Sequence, residues 1–296
     1  MIKIPFAILS VSILLINSNL QWYVPQLPVE KTILVNINPL VNYDFRNLRD
    51  TLYTMKDNII EVNLLTQHAK LISRNGLIRE FPISSGTKRI EEGIDTREGL
   101  FTLHWKSKKI YSEQFDSTVI LNWMGFNGGI GFHALLGTRY YKYLGKRNVS
   151  HGCVRMSRED AAEMYKLVDK GTPVHVHSGN SAITIAFGEE GTVYKYYDYR
   201  TLHKIISSRF DVIYSGNYFV SNLSKLLIDE ENVSHSGLPI GDSKNLPSKQ
   251  FIKPAYVYVD YKTNDVERLE LISKGKDKRY LTLNSFLDLR SQPAVQ

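Results

Sequence analysis

The chain has 296 residues, 43% apolar and 23% charged, an ordinary globular balance with length for one large domain or two smaller ones. A formal net charge of +7 permits an anionic polymer as partner: nucleic acid, anionic lipid or cell-wall polymer. No nucleic-acid-binding motif with aromatics interleaved among the basic residues accompanies that charge, so nucleic acid is set aside as a partner.

At the N-terminus Lys3 precedes an apolar run from Ile4 to Ile16, thirteen residues that end at Asn17-Ser18-Asn19. That is signal-peptide length and short of the ~20 residues that span a bilayer. Residues 1–19 are therefore expected to be a signal peptide or signal anchor, and a membrane is involved only if the leader stays uncleaved. No cysteine follows the run, which sets aside a lipoprotein signal. The expected destination is the periplasm or cell envelope. There a lone cysteine has no partner within the chain, so Cys153 is either buried and inert or kept for reactivity.

Residues 20–57 form an N-terminal lead-in with Pro25, Pro28 and Pro39, a strand at Thr32 to Val35 and a helix over Phe45 to Met55. From Ile59 short β runs take over: Ile60 to Leu65, Ala69 to Ser73 and, across the hairpin signal Asn75-Gly76, Ile78 to Ile83. Gly99 to Trp105, Thr118 to Trp123, Gly131 to Leu135 and Val174 to His177 complete the set. This spacing predicts a mainly β domain over 58–178, a mixed sheet or barrel-like sandwich with one or two helices. The helix begins after Met156, with Ser157 as N-cap, Glu159 and Asp160 in its first turn, apolar Ala161, Met164, Leu167 and Val168, and Gly171 at its end.

Residues 179–296 read as an α+β C-terminal extension without catalytic motifs. Its expected elements are a hairpin of Ile183 to Phe187 and Thr192 to Tyr197, helices near Leu202 to Ser207 and Phe219 to Leu227, and a loop over Val233 to Ser248. A second hairpin, Tyr256 to Tyr261 with Val266 to Ile272, and a helix near Leu283 to Leu289 follow.

The chemistry-bearing stretch is Gly131-Phe132-His133-Ala134 with Ser150-His151-Gly152-Cys153-Val154-Arg155-Met156. It holds the only cysteine of the chain. Between Ser117 and Arg158 there is no Asp or Glu, while Arg139, Lys142, Lys146, Arg147, Arg155 and Arg158 all fall there. Such surroundings are expected to favour a thiolate and an anionic ligand. His175 and His177, two apart on one strand, could imitate a zinc site with His151 and Cys153, but no metal is expected.

His133, sixteen intervening residues and then Ser150-His151-Gly152-Cys153-Val154-Arg155 resemble the signature of the L,D-transpeptidase catalytic domain (YkuD-like). Ile60 to Ile72, Ser84-Ser85-Gly86 and Asp95 to Leu103 are similar to that family's opening strands and the loop before its third strand. The resemblance covers roughly residues 58 to 178. It implies Cys153 as nucleophile and His133 as base, oriented by the carbonyl of Ala134. The N–H groups of Gly152 and Cys153 would face the oxyanion, His151 would shape the pocket and Ser150 would hold the loop. Arg155, where many members have asparagine, would suit a substrate carboxylate. The implied partners are peptidoglycan stem peptides, with a wall-anchored protein as one form of acceptor, and no cofactor. Attack by water in place of an amine would make the same fold an L,D-carboxypeptidase or murein amidase. A non-catalytic wall-binding scaffold is the alternative of another class.

Overall fold

The computed structural model describes residues 45–248, apart from 114–116, 219–220 and 222, together with four outlying strands. The chain forms two compact units, one of Leu48–Tyr214 with Leu223–Leu246, the other of the remaining residues. In the latter, β1 (Thr32–Leu34) edges a four-stranded sheet whose other strands are Tyr256–Asp260, Leu269–Ile272 and Lys278–Leu281. The expected hairpin is present there, Tyr256 facing Glu270 in antiparallel register. The leader and the helix expected at 283–289 lie outside the described residues.

The larger unit is a sandwich. Its first sheet contains β3 (Asn58–Asn63), β4 (His68–Ser73), β5 (Ile78–Pro82) and β6 (Gly99–Thr102). Its second contains β7 (Trp105–Tyr111), β8 (Val119–Asn127), β9 (Ile130–Leu135) and β10 (Val154–Arg155). Helix α1 (Arg158–Leu167) and β11 (Pro173–His177) follow, and β11 inserts between β3 and β6. The two sheets turn Ile60, Val62, Leu71 and Phe81 against Met124, Phe126, Phe132 and Val154, and α1 adds Ala161 and Met164 to the same core. Alternate residues point to opposite faces of a strand, so Gly131, His133 and Arg155 stand on the face of the second sheet away from this core.

Local signals account for several of these elements. Asn75 Oδ1 accepts from the Leu77 N–H at 3.1 Å, and Gly76 takes φ +84°, closing the β4–β5 hairpin. Ser157 Oγ accepts from the Asp160 N–H at 3.0 Å and caps α1. Strand β7, of sequence WKSKKIY, has no apolar alternation because it is a solvent-facing edge strand, where lysines also discourage further pairing.

Three expectations need correction, all for one reason. The helix over Phe45 to Met55 is instead a short 3₁₀ turn at Phe45–Asn47 followed by strand β2 (Asp50–Thr54), whose alternate residues Asp50, Leu52 and Thr54 are buried. The first half of the expected 183–197 hairpin, β12 (Ile183–Phe187), pairs in parallel with β2 rather than with 192–197. In place of a helix near 219–227, β13 (Leu226–Leu227) pairs in parallel with the other edge of β2. Parallel pairing between segments more than a hundred residues apart leaves no local sequence mark. Helix α2 (Tyr199–Tyr214) is longer than expected and sends Arg209 to a buried ion pair with Asp50 at 3.3 Å. Residues 179–214 and 223–246 thus complete the unit that carries the cysteine.

Candidate active site

Strands β9 and β10 run parallel, with Arg155 opposite His133 and Val154 opposite Phe132. Phe132 and Val154 go to the core, so Cys153, His133 and Arg155 share the outer face. The Cys153 thiol donates to the Gly129 carbonyl at 3.7 Å, and the amide of Gly131 also reaches the sulfur.

The loop carrying Cys153 is clamped by residues 84–96. Ser84 and Arg155 exchange both backbone hydrogen bonds, each at 2.9 Å, and the Ser150 N–H donates to the Ser85 carbonyl at 3.0 Å. Thr96 Oγ1 accepts from the Gly86 N–H at 2.8 Å and donates to the Gly152 carbonyl at 2.6 Å. Gly86 and Gly152 touch: a Cβ on Gly86 would lie 2.4 Å from the Gly152 Cα. Gly152 itself holds φ +147°, where a side chain would also meet Ile130 and Ile94. Gln67 steadies the clamp from β4's side, accepting from the Ser85 N–H at 2.8 Å and donating to Ser85 Oγ at 2.8 Å.

Ser150 holds the loop, its hydroxyl accepting from the Gly152 N–H at 3.1 Å and donating to the Cys153 carbonyl. This differs from the expected role of the Gly152 amide, which is engaged within the loop. The His151 carbonyl accepts from the Ile94 N–H at 3.2 Å.

His133 is 4% exposed, and its Nδ1 lies 3.3 Å from the Ala134 carbonyl. A carbonyl only accepts, so Nδ1 carries the proton and Nε2 keeps a lone pair. Burial, reinforced by the Arg155 charge, lowers the imidazole pKa to about 4 against the bond to Ala134. Burial also raises the Cys153 pKa, and the Gly131 amide and Arg155 only partly oppose it. The expectation that the basic stretch would favour a thiolate is therefore corrected. Burial is the larger influence on both groups: it raises the thiol against the opposing cation and lowers the imidazole.

Arg155 donates to the Val149 carbonyl at 3.3 Å, while its buried Nε has no hydrogen-bond partner among the described residues. With Arg139, Tyr140 and Thr118 it lines a cavity of about 430 Å³ beyond the end of β9. Tyr140 joins the ends of β9 and β10, accepting from the Leu135 N–H at 3.2 Å and donating to the Met156 carbonyl at 2.6 Å. Burial pushes its phenol up to about 12.

His175 and His177 share one face of β11, as their spacing requires, but they lie in a separate polar cluster. His175 Nε2 lies 2.9 Å from Ser181 Oγ. His177 Nδ1 accepts from the Gly179 N–H at 2.9 Å, which leaves Nε2–H to donate to Glu61 at 2.8 Å.

Thr96, Gln67, Tyr140 and Trp123 were missed from sequence. Of these Thr96 and Gln67 lay in segments to which the resemblance had drawn attention, Asp95 to Leu103 and Ile60 to Ile72. Trp123 reaches His133, ring centroids 5.9 Å apart, through a bulge at Asn122, where φ is +50°.

Comparison with curated proteins gives no match. Among solved structures, an L,D-transpeptidase from Mycobacterium smegmatis is similar at 20% identity and TM-score 0.36, over 41% of this chain and 58% of that one. One from Stackebrandtia nassauensis gives 23% and 0.35, over 41% and 56%. L,D-transpeptidase 3 from Mycobacterium tuberculosis, in complex with a faropenem-derived adduct, gives 21% and 0.36, over 41% and 60%. This chain thus spans less than two thirds of the length of each. Residues 57–176 match the family model of the L,D-transpeptidase catalytic domain, YkuD. That segment, which contains the cysteine loop and its clamp, belongs to the YkuD family of L,D-transpeptidase catalytic domains.

Proposed function

We propose that the chain is an exported cysteine L,D-transpeptidase acting on peptidoglycan stem peptides. The observation that carries this is the placement of Cys153 and His133 on one face of β9–β10, with the Ala134 carbonyl fixing the imidazole so that Nε2 can accept a proton.

In the first half-reaction the thiol turns from the Gly129 carbonyl toward Nε2. The sulfur bonds to the carbonyl carbon of the third stem residue while its proton passes to His133. Because the Gly152 amide is engaged with Ser150, the Cys153 N–H is the donor assigned to the oxyanion. Collapse breaks the peptide bond, and the departing amine of D-alanine takes the proton from His133, leaving a thioester. In the second half-reaction an acceptor amine attacks the thioester, loses a proton to His133 and expels the sulfur, which regains that proton. An amine on another stem gives a cross-link, an amine on a protein anchors that protein to the wall, and water gives a carboxypeptidase. The positive cavity of Arg155 and Arg139 suits a stem carboxylate.

Incubation with a disaccharide-tetrapeptide tests the assignment by mass analysis of products. D-Alanine release that disappears in Cys153→Ala is expected, and the accompanying dimer or tripeptide identifies the acceptor. Release that persists in Cys153→Ala would overturn it. For export, a reporter fused after residue 30 should leave the cytoplasm, and a cytoplasmic reporter would contradict that part.

A further inference from the structure

The second sheet has the strand order β10-β9-β8-β7, and its registers line up a row across the outer face. Cys153 lies beside Gly131, whose amide reaches its sulfur, Gly131 pairs with Gly125, and Gly125 pairs with Trp105. At about 4.8 Å between strands, the backbone of Trp105 stands ~14 Å from that of Cys153. The two intermediate residues are glycines, which add no side chain of their own to the row.

The far end of the row is built from two indoles. Trp105 is 46% exposed and Trp123 only 4%, with ring centroids 5.8 Å apart. Both N–H edges converge over Gly125, where a Cβ would lie 2.9 Å from Trp123 Nε1 and 3.0 Å from Trp105 Nε1. Trp123 Nε1 is buried and has no hydrogen-bond partner among the described residues. An unmet donor of this kind opposes folding, and an oxygen brought between the indoles would satisfy it. Trp105 adds a broad apolar face at the solvent boundary, the combination of ring face and polar edge that receives a partly apolar, partly hydroxylated ligand.

We propose that Trp105 and the Trp123 N–H form a saccharide subsite, so that the site prefers stems still attached to glycan. The inference rests on the transpeptidase assignment and adds a specificity determinant to it. The chemistry fits the length of the row. Three extended residues separate the attacked carbonyl from the link to the sugar, about 10–11 Å of chain. The indole N–H edges stand over Gly125, two strand spacings or ~10 Å from Cys153, so a stem laid across the strands brings its sugar to them. There a pyranose face stacks on Trp105, and a ring or acetamido oxygen accepts from the indole N–H groups.

The test uses binding, so it does not depend on turnover. Dissociation constants for a disaccharide-tetrapeptide and for the free tetrapeptide would be measured calorimetrically on Cys153→Ala protein, then on the same protein carrying Trp105→Ala or Trp105→Phe. The glycan-linked ligand is expected to bind tighter by about tenfold or more. Trp105→Ala should bring the ratio toward one, and Trp105→Phe, which keeps a ring but not the N–H, should fall between. Equal binding of the two ligands to the Cys153→Ala protein, or a ratio unchanged by Trp105→Ala, would overturn the subsite. Failure of the transpeptidase assignment shows separately, as absence of Cys153-dependent D-alanine release from either ligand by the unaltered protein.

Discussion

Acidification is the perturbation that most sharply tests how the site is built. An ordinary imidazole with a pKa of 6.5 is about nine-tenths protonated at pH 5.5, so a base of that kind loses roughly tenfold in activity between pH 7.5 and 5.5. Burial lowers the His133 pKa to about 4, so the ring remains almost entirely neutral at pH 5.5. Acylation of Cys153 by a carbapenem, followed by loss of the drug's absorbance in a stopped-flow instrument, should change by less than about twofold over that interval. The acidic limb should centre near pH 4. In His133→Ala the rate should fall by ~10² to 10⁴ near neutral pH and recover only as the thiol ionises. Burial raises Cys153 above its ordinary value of 9.0, so the recovery should climb about tenfold per pH unit and level off only above pH 9. An acidic limb centred near 6.5, or an alkaline rescue of His151→Ala in place of His133→Ala, would refute the assignment of the base.

Stability should follow the same histidines. His133 and His175 have folded pKa values of about 4 and about 3, both through burial. With depressed folded values, the unfolded chain binds more protons below pH 6.5, so their stabilisation is complete above 6.5 and is lost as the pH falls toward 4. The loss is on the order of 1.4 kcal/mol per histidine per pH unit. The urea midpoint should therefore drop between pH 7 and pH 5, and an unchanged or higher midpoint would contradict this. Gly86→Ala should abolish acylation and lower the midpoint, since its Cβ would lie 2.4 Å from the Gly152 Cα, and normal acylation would show that the clamp does not position Cys153. A chain ended at Gly179 should not fold, because β2 loses both its partners and the buried Leu100 loses its pairing with Leu238. Soluble truncated protein with a cooperative unfolding transition would be the contrary result.

The family motif and the elements with local signals were readable from sequence. Asn75-Gly76 sets its own turn, Ser157 caps its own helix, and His133 and Cys153 announce themselves by residue type and spacing. The setting of β2 was not readable, because Asp50–Thr54 acquires its strand character from Ile183–Phe187 and Leu226–Leu227. The direction of the Cys153 pKa shift was not readable either. Sequence displays the nearby cations but not the enclosure of the sulfur, and enclosure is the larger effect. Thr96 shows a third limit: a threonine in a loop gives no sign that its hydroxyl ties Gly86 to Gly152.

The central claim, that Cys153 is an acyl-accepting nucleophile, is tested most directly by intact-protein mass spectrometry after incubation with a carbapenem, followed by peptide mapping. The account predicts one added drug mass, located on Cys153 and absent from Cys153→Ala. A folded protein that stays unmodified, or an adduct that survives Cys153→Ala, would contradict it.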